Sequence, residues 1–379
     1  MTDHRPGQDY LMCRGNELGV LAKRTYEMAP DRACRPSADQ PPLLDDLVTD
    51  GEVLVHDTEC LAFKDNVDVV VKGRAWAPRG QTATQLDAGV DIGGQKVRLR
   101  VSGDRQVVLR GDSIHFSPPQ PFESIELGYK NAYGGVDQAA RPVLDAQTVD
   151  LFKPLFQQDI SSGSFAAYRR NTVGKGFVIA FSPRIDGLPL PNIEDPDDLL
   201  TPGRLVCGHP YKWHQQPLPA GVDWFSYRWF PRVAHTGMFN ARQRPDAPRP
   251  EDAPLREVEL GYVPADVFEV KELSDAISDR IMNGASPALI LPRLRGDEDV
   301  TLHAMDPESR QVGLRLPGEV PALQIQPIRE QARELKPHLS TVIIDRDRRR
   351  VTMIWTGRTR AQFPYGPDQL PAVRYSVRW

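Results

Sequence analysis

Thr341-Val-Ile-Ile-Asp-Arg-Asp-Arg-Arg-Arg-Val-Thr-Met-Ile-Trp355 is the stretch that decides the fold of this chain. Two runs rich in β-branched residues, 341–344 and 351–355, flank a polar connection from Asp345 to Arg350. Side chains that branch at Cβ suit a pleated surface better than a helix, so the stretch reads as a β-hairpin. The arginines at 346, 348, 349 and 350 crowd its tip, and read as a solvated hairpin end rather than a phosphate site.

The same signals recur upstream. Val53 and Val55 alternate with polar neighbours, Leu61 and Phe63 follow, and Val67-Asp-Val-Val-Val71 has the density of a strand buried on both faces. Gly73 and Pro78-Arg-Gly80 close that block. Val97, Leu99 and Val101 alternate with Lys96, Arg98 and Arg100. With Ser102-Gly-Asp104 as a turn, and Val107 and Leu109 returning, this predicts a hairpin with one apolar and one basic face. Further strands are expected around Phe122, Ile125 and Leu127, and at 177–181, 257–260, 300–302, 312–316 and 323–325. Short helices are expected only at 43–47, 270–281 and 328–335. Thirty-five prolines and 29 glycines in 379 residues disfavour long helices and central strands alike. The expected architecture is therefore mainly β. Antiparallel sheets form a sandwich-like or two-lobed body, with few short helices and long Pro/Gly-rich loops. Residues 1–50 should be irregular, 51–254 a β-rich lobe with a loop-rich, aromatic-rich middle, and 255–379 a second β-rich lobe packed on the first.

The formal charge of −4, from 47 basic and 51 acidic residues, argues against a general nucleic-acid binder. Cys13, Cys34, Cys60 and Cys207 lie far apart, so they suit reduced thiols better than a metal knuckle or a disulfide framework. No basic stretch followed by a long apolar run opens the chain, and no window approaches 18 apolar residues, so the expectation is a cytoplasmic protein without membrane contact.

Signatures of catalysis are scarce. His56, Asp57, Glu59 and Cys60 offer four potential ligands in five residues, but on a strand they would divide between two faces. Asp195-Pro-Asp-Asp198 lacks the ligand spacing and glycine of a calcium loop, and reads as an N-cap ahead of Leu199 and Leu200. Gly89-Val-Asp-Ile-Gly-Gly94 is not followed by Gly-Lys-Ser/Thr and reads as a turn. Gly-x-Ser-x-Gly, His-Glu-x-x-His and the dinucleotide-binding glycine fingerprint are missing from the sequence. No cofactor is implied. A Ser/His/Asp triad formed across the fold stays open, as does a metal-dependent or hydrolytic enzyme assembled from His56, Asp57, Asp68 and His115. Aromatic residues accumulate at Tyr211, Trp213, Trp224, Phe225, Tyr227, Trp229 and Phe230. They either plug the core beneath a long loop or form an adhesive surface. On the second reading Trp213, Trp224, Tyr227 and Trp229 are the partner contacts.

A resemblance adds to this. Phe63-Lys-Asp-Asn-Val-Asp-Val-Val-Val-Lys-Gly73, carrying Lys64, Asp68 and Gly73, is followed by the Val101-Ser-Gly-Asp-Arg105 turn with Asp104 and Arg105. Pro121-Phe122, Tyr133-Gly134-Gly135 and Asn171-Thr-Val-Gly-Lys-Gly-Phe177, with Gly174 and Gly176, come next. Leu188-Pro-Leu-Pro-Asn-Ile-Glu194, with Pro191, Asn192 and Glu194, and the hairpin ending in Trp355 complete the order. Over residues 53–356 this series resembles a family known mainly from type VI secretion gene neighbourhoods and long labelled a domain of unknown function. Thr172 stands where that family usually has proline, and residues 205–250 diverge. The resemblance implies a non-enzymatic adaptor or chaperone. It would hold a secreted effector in the cytoplasm and help load it onto the spike or its tip protein. A structural part of the secretion apparatus is the other role it admits. It also implies that the motif residues are structural: glycines 134, 135, 174 and 176 for special backbone geometry, Asn192 and Glu194 for hydrogen bonds within their loop.

Overall fold

The structure, a computed structural model, describes residues 7–29, 32–140, 166–168, 170–208, 215–225 and 282–379. The strand expected at 257–260 and the helix expected at 270–281 lie outside these residues. The chain opens with β1 (Asp9–Arg14), β2 (Glu17–Glu27) and β3 (Arg35–Pro36). A small hairpin, β4 (Val48–Asp50) and β5 (Val53–His56), precedes β6 (Val67–Lys72) and β7 (Arg74–Trp76). Then follow β8 (Gln85–Ile92), β9 (Gln95–Ser102), β10 (Val107–Arg110), β11 (Ser113–Phe116) and β12 (Ser124–Glu126). Three two-residue strands come next, β13 (Tyr133–Gly134), β14 (Lys175–Gly176) and β15 (Ile193–Glu194). The last part holds β16 (Ile290–Leu291), β17 (Asp299–His303), β18 (Gln311–Arg315), β19 (Ala322–Gln326) and β20 (Arg333–Leu335). It closes with β21 (His338–Asp345), β22 (Arg350–Arg360) and β23 (Arg374–Arg378).

The architecture is mainly β, and among the described residues the longest helical element is the 3₁₀ segment Pro367–Ala372. One sheet runs β1-β2-β22-β21-β6-β16, with β3 added to β2. Its pairs are antiparallel except β21 with β6. A five-stranded antiparallel sheet runs β15-β9-β8-β17-β18. The main core joins the two: Val67, Val69, Val342, Met353 and Trp355 of the first meet Ala88, Val90, Leu99, Val300 and Leu302 of the second. Ile354, one residue out of phase with Met353 and Trp355, packs instead with Leu21, Leu43, Ala62 and Phe63. The period-2 alternation thus covers the first sheet on both sides, which is why Val and Ile dominate residues 67–71 and 342–344. A three-stranded sheet, β20-β19-β23, closes over Leu11, Leu18, Val20 and Ala22.

The hairpin of β21 and β22 forms as expected, with Val342 opposite Met353 and Ile344 opposite Val351. Several expectations need correction. The described part of 1–50 is not irregular throughout. β1 and β2 form a hairpin across Gly15 and Asn16, and β2 pairs with β22 along all 11 of its residues. The apolar run Leu18-Gly-Val-Leu-Ala22 forms a strand in spite of the prolines downstream of it. The first sheet takes strands from the first fifty residues, from 51–254 and from 255–379, so its hydrogen bonding crosses both expected boundaries. The strand at 97–101 does not pair with 107–109. β9 folds back on β8 through Gly93–Gly94, both at positive φ as a tight two-residue hairpin requires, and β10 pairs with β11. Nor is the outer face of β9 basic overall, because Arg98 binds Asp91 and Arg100 binds Asp87 across the pair. No helix forms at 43–47, and 328–335 ends in strand β20. Leu61 and Phe63 lie outside any strand, Phe63 in a turn, and 177–181 contributes a single bridge, Val178 to Val206.

Candidate functional site

The residues that carry the sequence motifs gather at two places, and both are roots of long connections. The first is built on Asp68, the second residue of β6 and fully buried. Its carboxylate accepts from Lys64 Nζ at 2.7 Å, Asn283 Nδ2 at 2.9 Å, Gly284 N at 3.1 Å and Ala285 N at 3.2 Å. Lys64 Nζ also donates to Thr341 Oγ1 of β21 at 2.7 Å. Phe225 N donates to Gly284 O at 2.8 Å, and Trp224 bridges Ala285. The chain before residue 226 and the chain after 281 are therefore tied to each other and to one carboxylate. Gly73, the last member of that motif, links β6 to β7 and accepts from Leu127 N.

The second root is a glycine-lined node. β13 and β14 form a two-residue parallel ladder, Tyr133 beside Lys175 and Gly134 beside Gly176. The approach is too close for side chains. A Cβ on Gly135, which has φ +94°, would lie 2.4 Å from Gly174 O, and one on Gly174 would lie 2.5 Å from Asn171 Nδ2. Asn171 Nδ2 donates to the carbonyls of Tyr129 and Tyr133, and Asn171 O accepts from Gly135 N. Asp137 N donates to Ala166 O, and Tyr168 N to Gly135 O. This joins the chain ahead of 141 to the chain after 165. The Asp137 carboxylate receives the N–H groups of Ala139, Ala140 and Ile179.

The segment 188–194 clamps this node to the five-stranded sheet. Asn192 Nδ2 donates to Ser102 O at 3.1 Å and Asp104 Oδ1 at 2.9 Å, and its Oδ1 accepts from Lys175 Nζ at 2.7 Å. Burial lowers the Lys175 pKa, while the Asp104 charge pulls the other way. Arg105 donates to Pro191 O at 2.7 Å and pairs with Glu194, whose other oxygen accepts Leu200 N at 2.8 Å. The 188–194 segment thus supplies both a short strand pairing with β9 and the acceptors that hold its own bend.

The polar candidates for chemistry are dispersed. Asp68 is saturated by donors, and His115 is exposed on β11. His56 Nε2 stands 3.6 Å from Glu59, which is buried against Lys23 at 2.6 Å, and the His56 ring lies 5.3 Å from that of Trp224. Burial lowers the His56 pKa, opposed by Glu59. Among the described residues no group of three or more His, Cys, Asp or Glu is placed to hold a metal ion. Asp195 makes no helix cap: its carboxylate accepts Asp197 N in a local turn. Trp224 is 3% exposed and belongs to the main core, so this ring follows the core reading and is no surface contact. Trp213, Tyr227 and Trp229 lie outside the described residues.

Sequence reasoning passed over Asp137, Asn283 and the Lys23–Glu59 pair, which only become a set once distant segments meet. It also passed over Asp223, beside the first root. Burial pushes its carboxyl up to about 7, with Glu126 and Asp345 acting the same way and Lys72 and the Trp224 N–H opposing. An unfolded aspartate titrates near ~3.9, so the folded chain holds a proton that the unfolded chain releases. That contribution to stability is present below about pH 4 and is lost as the pH rises to about 7. Replacing Asp223 by Asn should therefore leave stability unchanged at pH 4 and raise it by ~2–4 kcal/mol at pH 8. Urea unfolding curves across that range provide the check, and parallel pH profiles for the two proteins would refute it.

Residues 14–356 match the family described as "Uncharacterized protein conserved in bacteria (DUF2169)". The chain belongs to this family. No match emerges among curated proteins or among solved structures. The DUF2169 span runs from the end of β1 into β22 and includes both roots, while β23 falls outside it. Among the described residues no helix is long and apolar enough to cross a membrane.

Proposed function

We propose that this DUF2169 protein is an adaptor that grips another polypeptide and performs no chemistry on it. Its cargo is a secreted effector of a type VI system, held in the cytoplasm and handed to the spike or spike-tip protein. The type VI assignment rests on the resemblance carried by the motifs from Lys64 to Trp355. One structural observation supports the binding role. The motif side chains Asp68 and Asn171 direct hydrogen bonds to backbone groups of the two roots, while Asn192 and Glu194 bond the backbone of Ser102 and Leu200 and so fix the 188–194 clamp. A framework that concentrates its polar groups on fixing where long connections start and end is suited to presenting those connections. A partner interface of standard size would bury ~1,600 Å² in total. On this reading Tyr227 and Trp229 supply contacts from the connection that starts after Phe225, and Trp213 from the chain between 208 and 215. Tagged full-length protein, co-expressed with the effector encoded beside it, should retain that effector through purification and release it to the spike-tip protein. Failure to form any such complex, or turnover of a small molecule by the purified chain, would refute the proposal.

A further inference from the structure

β23 pairs with β19 along one side and lies at the margin of its sheet. Among the described residues no backbone hydrogen bond reaches its other side. Such a margin of N–H and C=O groups is a template for one more strand. The register decides what an added strand would meet. Arg374 lies beside Gln326, Ser376 beside Gln324 and Arg378 beside Ala322, all six exposed on the outer face. Tyr375 and Val377 point to the other face, against the core under the sheet. The two guanidinium groups sit four residues apart, about 13 Å along the strand. Neither has a carboxylate partner among the described residues, and their neighbours on β19 are uncharged.

We propose that β23 accepts an extended segment of another protein as a fourth strand, and that this segment carries carboxylates at alternate positions to meet Arg374 and Arg378. A second copy of this chain fits poorly. Antiparallel pairing of β23 with itself about Ser376 sets Arg374 against Arg378 at both ends, and in-register parallel pairing sets each arginine against itself. Like charges directly opposite are destabilising. Arginines on a margin also deter aggregation, but deterrence requires no acidic ligand, and this separates the two roles. β23 lies beyond the DUF2169 span, and the site does not depend on the adaptor reading.

The test uses the full-length protein and a fluorescein-labelled peptide of alternating Glu and Val, seven residues long, followed by anisotropy. Saturable binding is expected. The double variant Arg374→Glu/Arg378→Glu should weaken it by about tenfold or more, and should instead bind the peptide with Lys in place of Glu. N-methylation of the Glu/Val peptide at alternate residues should weaken binding to the unaltered protein to a similar degree, because it removes strand-pairing donors. Both arginines are exposed, so the variant should keep the parent circular dichroism spectrum. Should it misfold, the Lys and N-methylated peptides against the unaltered protein still decide. No binding, equal binding of the Lys peptide by the unaltered protein, or indifference to N-methylation would overturn the proposal. The effector co-purification involves none of these peptides, so the two proposals fail separately.

Discussion

Replacing Asp68 by Ala should cost about 3–5 kcal/mol of unfolding free energy. The carboxylate neutralises Lys64, which is buried with it inside the first sheet. It also accepts three donors from residues 283–285. Alanine would leave a buried ammonium without its counter-charge and two backbone N–H groups without acceptors, the second effect costing ~1–3 kcal/mol for each group. Substituting Lys64 by Met in the same chain should recover part of the loss, since a missing pair is cheaper than a stranded charge. Residues 282–286 should become sensitive to protease before the rest of the sheet opens, because Gly284 also holds Phe225. Equilibrium urea unfolding and timed proteolysis measure the two effects. A variant with the parent's midpoint and cleavage pattern would show that this carboxylate does not hold the root.

Gly135→Ala should be as damaging, by about 3 kcal/mol or more, through sterics rather than charge. The added Cβ would meet the Gly174 carbonyl oxygen at 2.4 Å and its carbon at 3.1 Å, in a backbone already at φ +94°. Backbone atoms cannot rotate aside as a side-chain tip can, so the ladder of β13 and β14 would have to separate. Gly208→Ala is the matched control. It has φ +82° but nothing within 4 Å of the added atom, and should cost only the ~1–2 kcal/mol of a left-handed alanine. Thermal melts of the pair isolate the close approach, and equal losses in both would refute it.

Much of the β body was legible because it depends on short-range alternation. β6, β17, β18, β19, β21 and β22 each contain a run of apolar or alternating residues that marks a strand. β1 and β2 were obscured because a stretch with Pro30, Pro36, Pro41 and Pro42 looks irregular even when a strong strand precedes it. The partner of β9 is ambiguous in sequence because two turns, Gly93–Gly94 and Ser102-Gly-Asp104, offer similar local chemistry. Only the first satisfies pairing along the whole strand. Trp224 could be read either as plug or as contact, and its burial against His56 decides for the core at that position.

For the two roots the division is sharper. Local sequence determined which residues are unusual: glycines where no side chain is tolerated, and Asp68 and Asn192 inside otherwise apolar or proline-braced runs. Only the tertiary structure decided what they hold. Asp68 reaches residues 283–285 and Asn171 reaches 129 and 133, and such partners are chosen by the closing of the sheets. A hydrogen bond between segments more than 200 residues apart leaves no periodicity in either of them.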